Sequence, residues 1–452
     1  MTSLKHNPYQ NIDISESSNL TNSQFLIWLG QKLNPEVPLY NMILTFTITG
    51  EINPAAFERA FQVLVDQTDA LRTVIEEVDG IPQQRVLQHF PYRMDCRDLS
   101  GESDSQAVLQ AWLDQRRGLQ FNLEECLFDA VLIKVAANRF IWYLNQHHLI
   151  TDGWSATVIY RRMAELYGPA LTDQLAGASA LPAFQDYATY ERKFRGSTQY
   201  KKAVAYWQQK TSKPFEPIRF YGKTVQETST RSDRVFCDLG RERTQKLKAI
   251  AMEKGVRSFT LDLSLFNIFA TLLFSYLYRI SGVEHLAIGA PSHNRPTAAF
   301  KETIGLFIEL FPLQAEIAED ETFLSLIKKV TGETQGFLRY AQPGTGSPES
   351  NRTYNVLLNY INTSFPNFDG LPMQSEWVHP GHMDSNHKLR LQVHDFDGAD
   401  SFVLIFDLNC DVFDEEQRRW TIQHFLRVLD GFIADRTQPI SQFDLLSDEE
   451  RY

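Results

Sequence analysis

Two imidazoles, a carboxylate and a glycine stand together at His147-His148-Leu149-Ile150-Thr151-Asp152-Gly153, followed at once by Trp154-Ser155. A neutral imidazole titrates near neutrality and offers one accepting and one donating nitrogen, which is what proton removal from an attacking nucleophile needs. Adjacent side chains leaving extended backbone point in opposite directions, so His147 and His148 do not serve one reacting atom together. One is expected to be catalytic and the other structural. Asp152, four residues beyond His148, is close enough to orient it or to anchor the turn through an arginine. Gly153 permits a backbone conformation, or an approach, that a Cβ would block. Two other readings compete. A lone buried histidine is more often a hydrogen-bonded core residue than a catalyst. A metal held by His147, His148 and Asp152 is conceivable, but the two rings diverge and no third histidine stands nearby at helical ligand spacing. No metal is therefore expected.

The elements around this cluster read as an α/β fold. Arg139 to Gln146 alternates Phe140, Trp142 and Leu144 against Ile141, Tyr143 and Asn145, the period of a strand covered on both faces. Ser155 can cap a helix running to about Tyr167, so the histidines sit where a strand ends, held rigidly at a cleft. In the same half, Asn53 and Pro54 signal the start of a helix with Phe57, Ala60, Phe61 and Leu64 on one face. Ile43 to Gly50 and Ala130 to Ala136 read as strands. A loop rich in small residues, Gly168 to Pro182, suggests a boundary, giving domains 1–175 and 176–452. The second half repeats the theme without repeating the sequence. It has helices at Arg241 to Lys254 and from Phe259, and strands at His285 to Pro291, Asn355 to Asn362, Leu389 to Val393 and Phe402 to Cys410. A last helix follows from about Glu415.

These residues resemble a known family, the condensation domains of nonribosomal peptide synthetases, which belong with the chloramphenicol acetyltransferase-like acyltransferases. His-His-x-x-x-Asp-Gly is their signature, and the match here is complete. Other segments agree in the family's order. Leu20 to Leu29, with Gln24 and Trp28, is similar to Ser-x-Ala-Gln-x-x-x-Trp, and Asp69-Ala70-Leu71-Arg72-Thr73 to the Leu-Arg-Thr motif. Phe184 to Tyr190 resembles Tyr-x-Asp-Tyr-Ala. Ile304-Gly305-Leu306-Phe307 with Pro312-Leu313 resembles Ile-Gly-x-Phe-Val-Asn-Thr-x-Pro-Leu, and Tyr354 to Tyr360 resembles the late Phe-Asn-Tyr-Gln strand. The chain departs from the pattern at Glu309-Leu310, at His387-Lys388-Leu389 and at Ala341 to Glu349, where the motif ending Pro-Phe-Glu is hardly recognisable.

The resemblance implies two chloramphenicol acetyltransferase-like lobes in a V-shaped pseudodimer with an active-site tunnel between them. It implies amide formation between a carrier-bound acyl or aminoacyl thioester and an acceptor amine, delivered on the phosphopantetheine arms of donor and acceptor carrier proteins. The chain itself would bind no cofactor. By this likeness His148 is the catalytic histidine, while His147, Asp152 and Gly153 shape the loop. In the family the aspartate pairs with an arginine, for which Arg295 is the first candidate and Arg72 the second. Asn359, Trp154 and Glu309 would meet substrate. Arg192, Lys193, Arg195, Lys201 and Lys202 would either meet a carrier or form a solvated helix face. No Glu-Gly-His-Gly-Arg stretch of an epimerisation domain is found, and the histidines are not the aspartates of a heterocyclisation domain. An acyltransferase using acyl-CoA or an alcohol acceptor, or a silent recruitment module, are the alternatives.

Composition agrees. A chain of 452 residues, 43% hydrophobic, buries a large core. Its net charge of −12 disfavours nucleic acid and anionic membrane as partners. Cys96, Cys126, Cys237 and Cys410 have no paired spacing and read as core thiols of a reducing cytoplasm. The polar N-terminus is no signal peptide, and Asp262, Ser264, Asn267 and Ser275 interrupt the one apolar run, so a buried helix is expected there rather than a membrane span. Leu445 to Arg451 resembles the linker towards an adenylation domain. By that linker the chain would be a piece of a larger synthetase, and by its start at Met1 with no carrier ahead of it the first domain of its protein; it would be a monomer.

Overall fold

The computed structural model describes residues 17–450 except 178, 213–215, 217, 224, 226–227 and 447–449. Most of the linker-like tail therefore lies outside the described residues. The chain condenses into two compact units, neither continuous in sequence. The first gathers the described residues up to Ile43, Thr49–Ser197 and Arg295–Phe307. The second gathers Leu44–Ile48, Thr198–Asn294 and the described residues from Ile308 onward.

The first unit contains α1 (Asn22–Leu33), the ends of β1 (Asn41–Thr49), α2 (Pro54–Gln67), the hairpin β2 (Thr73–Val78) and β3 (Ile81–Val86), β4 (Asp95–Asp98), α3 (Ser105–Arg116), β5 (Phe128–Ala136), β6 (Arg139–His147), α4 (Gly153–Leu171) and α5 (Phe184–Arg195). β5 runs antiparallel to β6, and β4 lies parallel along its other edge. Trp142 of β6 meets Phe57 and Phe61 of α2 edge-on at 5.5 and 6.2 Å and stacks on Tyr160 of α4 at 6.4 Å. Tyr143, on the other face, meets Trp112 of α3 at 5.0 Å. Helices thus cover both faces, which is why β6 carries large apolar residues at both parities. α2 begins as read, with the Asn53 side chain accepting from the Ala56 N–H and Pro54 in the first turn.

Three expectations need correction here. α4 is capped by Asp152, not Ser155: the Asp152 carboxylate accepts from the Ser155 N–H, and the helix starts at Gly153. It also continues through Pro169 to Leu171, so Gly168 and Pro169 are helical rather than loop. The units do not divide at 175/176 either. α5 stays with the first unit because Asp69 accepts from the Phe184 and Gln185 N–H groups at its start, at 2.9 and 3.0 Å.

The second unit contains α6 (Thr198–Lys210), β7 (Ser232–Asp238), α7 (Gly240–Ile250), α8 (Leu261–Ser281), β8 (His285–Ser292), β9 (Glu309–Glu316), α9 (Phe323–Tyr340), β10 (Val356–Ile361), β11 (Met373–Val378), β12 (Leu389–His394), β13 (Val403–Asn409) and α10 (Glu415–Ala434). Six strands pair in the order β7-β13-β12-β10-β8-β9. One face presents Leu358, Leu391, Val393, Leu404 and Phe406, all buried in one core with α8, α9 and α10. The opposite face carries Arg234, Asp407, Arg390, Gln392 and Asn359, which the strand registers place side by side. α8 is long and apolar enough to cross a membrane by length and composition, yet most of it is buried in this core. Its polar residues fit because Ser264, Thr271 and Ser275 donate to carbonyls one turn back at 3.0, 2.7 and 2.8 Å. Asn267 accepts from Thr334 of α9 at 2.8 Å. The cysteines are not core thiols: Cys96 is exposed on β4, all of whose residues face solvent, and the other three are half-buried.

Candidate active site

β6 ends at His147, and the next residues fold into a tight turn closed by the Ile150 N–H donating to the His147 carbonyl at 3.1 Å. Within it the two histidines part. The His147 Nδ1 accepts from the Leu149 N–H at 3.2 Å, so its proton sits on Nε2, which donates to Gln31 of α1 at 3.3 Å. Tyr40 and Phe121 meet this ring edge-on at 6.1 and 6.2 Å. Burial, with the His148 ring beside it, pushes His147 down to about 3, so it is neutral at physiological pH. His147 is a structural residue. His148 is half-buried, and its Nδ1 lies 2.8 Å from the Thr151 carbonyl oxygen. A carbonyl can only accept, so Nδ1 carries the proton and Nε2 is the basic nitrogen of the neutral ring. The His148 N–H donates to the Tyr40 carbonyl at 2.8 Å, and Gln24 Nε2 donates to the Leu149 carbonyl at 3.1 Å, so α1 and the start of β1 fix the turn from outside.

Asp152 is fully buried and pairs with Arg295, the first candidate, whose Nη2 donates to its two oxygens at 2.9 and 3.1 Å. The carboxylate also accepts from the Ser155 and Phe307 N–H groups at 2.8 and 3.0 Å. Burial pushes its pKa up, but Arg295 and the two backbone donors outweigh that, and the carboxyl is held below the usual carboxylate range. Arg295 Nη1 donates to the Phe300 and Thr303 carbonyls at 2.6 and 2.7 Å, and the guanidinium lies over the Phe307 ring at 3.8 Å. Arg72 is engaged elsewhere, with the Val65, Leu87 and Gln88 carbonyls. Asp152 makes no hydrogen bond to His148 among the described residues and is a loop anchor. With both nitrogens of His147 and both oxygens of Asp152 so occupied, these residues are not disposed as a metal ligand set.

Sequence reasoning missed Ser155 as part of this network. Its fully buried hydroxyl donates to the Gly305 carbonyl at 2.7 Å and accepts from the Gly305 N–H and Arg295 at 3.0 and 2.8 Å. Gly305 was legible only as a motif letter. A Cβ there would stand 2.0 Å from the Phe184 ring, which explains the glycine by close packing. Gly153 is different. Its backbone is not left-handed, and a Cβ would meet nothing within 4 Å, so neither conformation nor protein packing requires it.

The remaining candidates fall into separate places. Trp154 Nε1 donates to the Lys301 carbonyl at 2.8 Å, tying α4 to the single-turn helix Ala298–Glu302. Glu309, in the second unit, accepts from Asn294 Nδ2 and from the Gly344 and Gly346 N–H groups at 3.1, 2.6 and 2.9 Å, clasping a glycine-rich loop. Asn359 lies on β10 beside Gln392 of β12. In the basic run, Arg195 pairs with Glu191 at 2.9 Å and Arg192 donates to the Ala188 carbonyl, whereas Lys193 on α5 and Lys201 and Lys202 on α6 are exposed.

A family model described as Condensation domain matches residues 14–452. A linear gramicidin synthase of Brevibacillus parabrevis is 24% identical over 96% of this chain, and the dimodular nonribosomal peptide synthase of Bacillus subtilis is 24% identical over 96%. The chain spans only 6% and 18% of those two synthases. The starter condensation domain of rhizomide synthetase, solved with C8-CoA, superposes with a TM-score of 0.83 at 26% identity, covering 94% of this chain and 97% of that one. The first condensation domain of the calcium-dependent antibiotic synthetase, at 21% identity, shares the fold with a TM-score of 0.82.

Proposed function

Because the chain belongs to the condensation domain family, we propose that it joins a carrier-bound acyl or aminoacyl thioester to the amine of an acceptor in nonribosomal peptide biosynthesis. The observation that carries this is the His148 ring at the end of β6, its Nδ1 proton committed to the Thr151 carbonyl and its Nε2 therefore basic. The acceptor nitrogen attacks the thioester carbonyl carbon and gives a proton to His148 Nε2. The tetrahedral intermediate collapses, the carbon–sulfur bond breaks, and the thiolate leaves with the proton that His148 returns, producing an amide and a free thiol. Holding both reactants on tethers supplies much of the rate, since effective molarities reach about 10⁵ to 10⁸ M in ideal cases.

In this reading His147, Asp152 and Arg295 hold the loop and Gly153 keeps the first turn of α4 open to substrate, while Trp154 borders it. The thioesters arrive on phosphopantetheine arms of donor and acceptor carrier proteins, the chain has no resident cofactor, and the resemblance of Leu445 to Arg451 to a linker makes an adenylation domain a further candidate partner. In this reading the chain works in the cytoplasm as a monomer, and its net charge of −12 speaks against nucleic acid or anionic membrane as partners.

The test offers donor-loaded carrier with amine or alcohol acceptors and reads product by mass. His148→Ala should lower amide formation by about 10² to 10⁴ with unchanged thermal stability. Full activity of that variant, or ester as the main product, would overturn the reading. A second donor is worth including, because the rhizomide relative was solved with C8-CoA: acyl-CoA turnover without a carrier would favour a soluble thioester.

A further inference from the structure

On the face of the second unit's sheet opposite its main core, Arg234 of β7, Asp407 of β13 and Arg390 of β12 lie side by side in register. Asp407 is fully buried. Its Oδ1 accepts from Arg234 Nε at 2.6 Å, and its Oδ2 accepts from Arg234 Nη2 at 3.0 Å, Arg390 Nε at 2.8 Å and Gln392 Nε2 at 3.0 Å. One carboxylate thus faces two guanidiniums. His379, 3.7 Å from Asp407, adds no charge, since burial pushes its pKa down to about 3. The cluster keeps an excess positive charge within a chain of net charge −12.

The two arginines are not equivalent. Arg234 is 4% exposed and gives Nη1 to the Trp377 carbonyl at 2.6 Å, so both its edges are engaged. Arg390 is 28% exposed, anchored to Asp407 through Nε and Nη2 at 2.8 and 2.7 Å, and among the described residues nothing accepts from its Nη1. A guanidinium fixed along one edge and open along the other is a preorganised receptor for a planar anion, which it can meet with two parallel N–H donors. In register with β12, β10 sets Leu357 beside Arg390 and Asn359 beside Gln392. Asn359 is half-buried, and among the described residues its amide makes no hydrogen bond. Neutralising Asp407 needs one guanidinium; the second, half-open one is surplus to structure.

We infer that Arg390, with Asn359 beside it, forms a binding site on the second unit for the carboxylate of a small organic acid. The site is argued from the second unit alone and stands apart from the acyl-transfer reading above. Arg390 meets the carboxylate through Nη1 and the outer hydrogen of Nη2, Asn359 donates an amide N–H to it, and Leu357 packs along the aliphatic part.

The experiment measures equilibrium binding of glutaryl-pantetheine thioester and of its methyl ester to the intact chain by titration calorimetry. The acid should bind at least about tenfold more tightly than the ester, with the ratio falling to about 1 in Arg390→Gln. Equal affinity in the unmodified protein, or a preference that survives Arg390→Gln, overturns the inference. Should Arg390→Gln fail to fold, Arg390→Lys decides, because it keeps the charge but loses the planar fork: a ratio at least about threefold lower supports the subsite, and an unchanged ratio rejects it. Binding needs no turnover. An acid preference without amide product would remove the condensation reading and leave the subsite, and amide product without the preference would do the reverse.

Discussion

At His148 the tautomer is fixed by a backbone carbonyl, and at Asp152 a buried carboxylate serves an arginine rather than the neighbouring imidazole. The two halves of the signature therefore fail in different ways. Asp152→Asn leaves Arg295 as a buried charge without its counter-ion, which should cost about 3 to 5 kcal/mol of stability, read as a shift in the urea midpoint. The pH–rate profile of whatever remains folded should be unchanged, since Asp152 makes no hydrogen bond to His148 among the described residues. A profile displaced along the pH axis would instead make Asp152 an electrostatic partner of the base. The division between the histidines was legible as a necessity, because adjacent side chains diverge, but which ring faces the reaction came from the family likeness alone. Local geometry supplies its own reason: His147 has both nitrogens committed to Leu149 and Gln31.

Elements bring the motifs together across long separations. Asp69 holds the start of α5, α5 presents Phe184 to Gly305, and Gly305 joins Ser155 at the start of α4. Gly305→Ala should therefore destabilise the protein by about 1 to 3 kcal/mol by overpacking against Phe184, whereas Gly153→Ala should leave the melting temperature within a few degrees and lower turnover. Calorimetric melts and product assays of the two variants separate packing from substrate room. The clasp of Glu309 predicts another difference: Glu309→Ala should raise hydrogen exchange at the Gly344 and Gly346 amides with little change in β9. Strand and helix periods were readable within a few residues, because one face of each element is apolar. The cap of α4 was not, since Asp152 and Ser155 are both good cap residues and only the direction of the side-chain hydrogen bond decides. Glu309 was read as a substrate residue from its departure from the family pattern, and its clasp was not legible because Gly344 and Gly346 lie 35 and 37 residues downstream, beyond any local pattern.

Across the whole molecule, burial keeps several histidines uncharged. His147 and His379 are pushed down to about 3 and His394 to about 4. In the unfolded chain each binds a proton below about pH 6.5, which the folded chain refuses until far lower pH. Their stabilising effect is complete above about pH 6.5 and declines as pH falls, by up to about 1.4 kcal/mol per pH unit for each histidine. Unfolding at pH 5 should take up about three protons through these groups, measurable from the buffer dependence of the calorimetric enthalpy; release of protons there would contradict it. The α/β class and the family were legible from motifs, while the exchange of segments between the two units was not, because nothing local marks Arg295–Phe307 as returning to the first unit. That return sets a schedule for biosynthesis. Asp152 leaves the ribosome 143 residues before Arg295, a wait of about 7 to 30 s at ordinary elongation rates. During that interval the nascent first unit carries a carboxylate that cannot yet be sealed in, so the half bearing His148 matures only after much of the second has been translated.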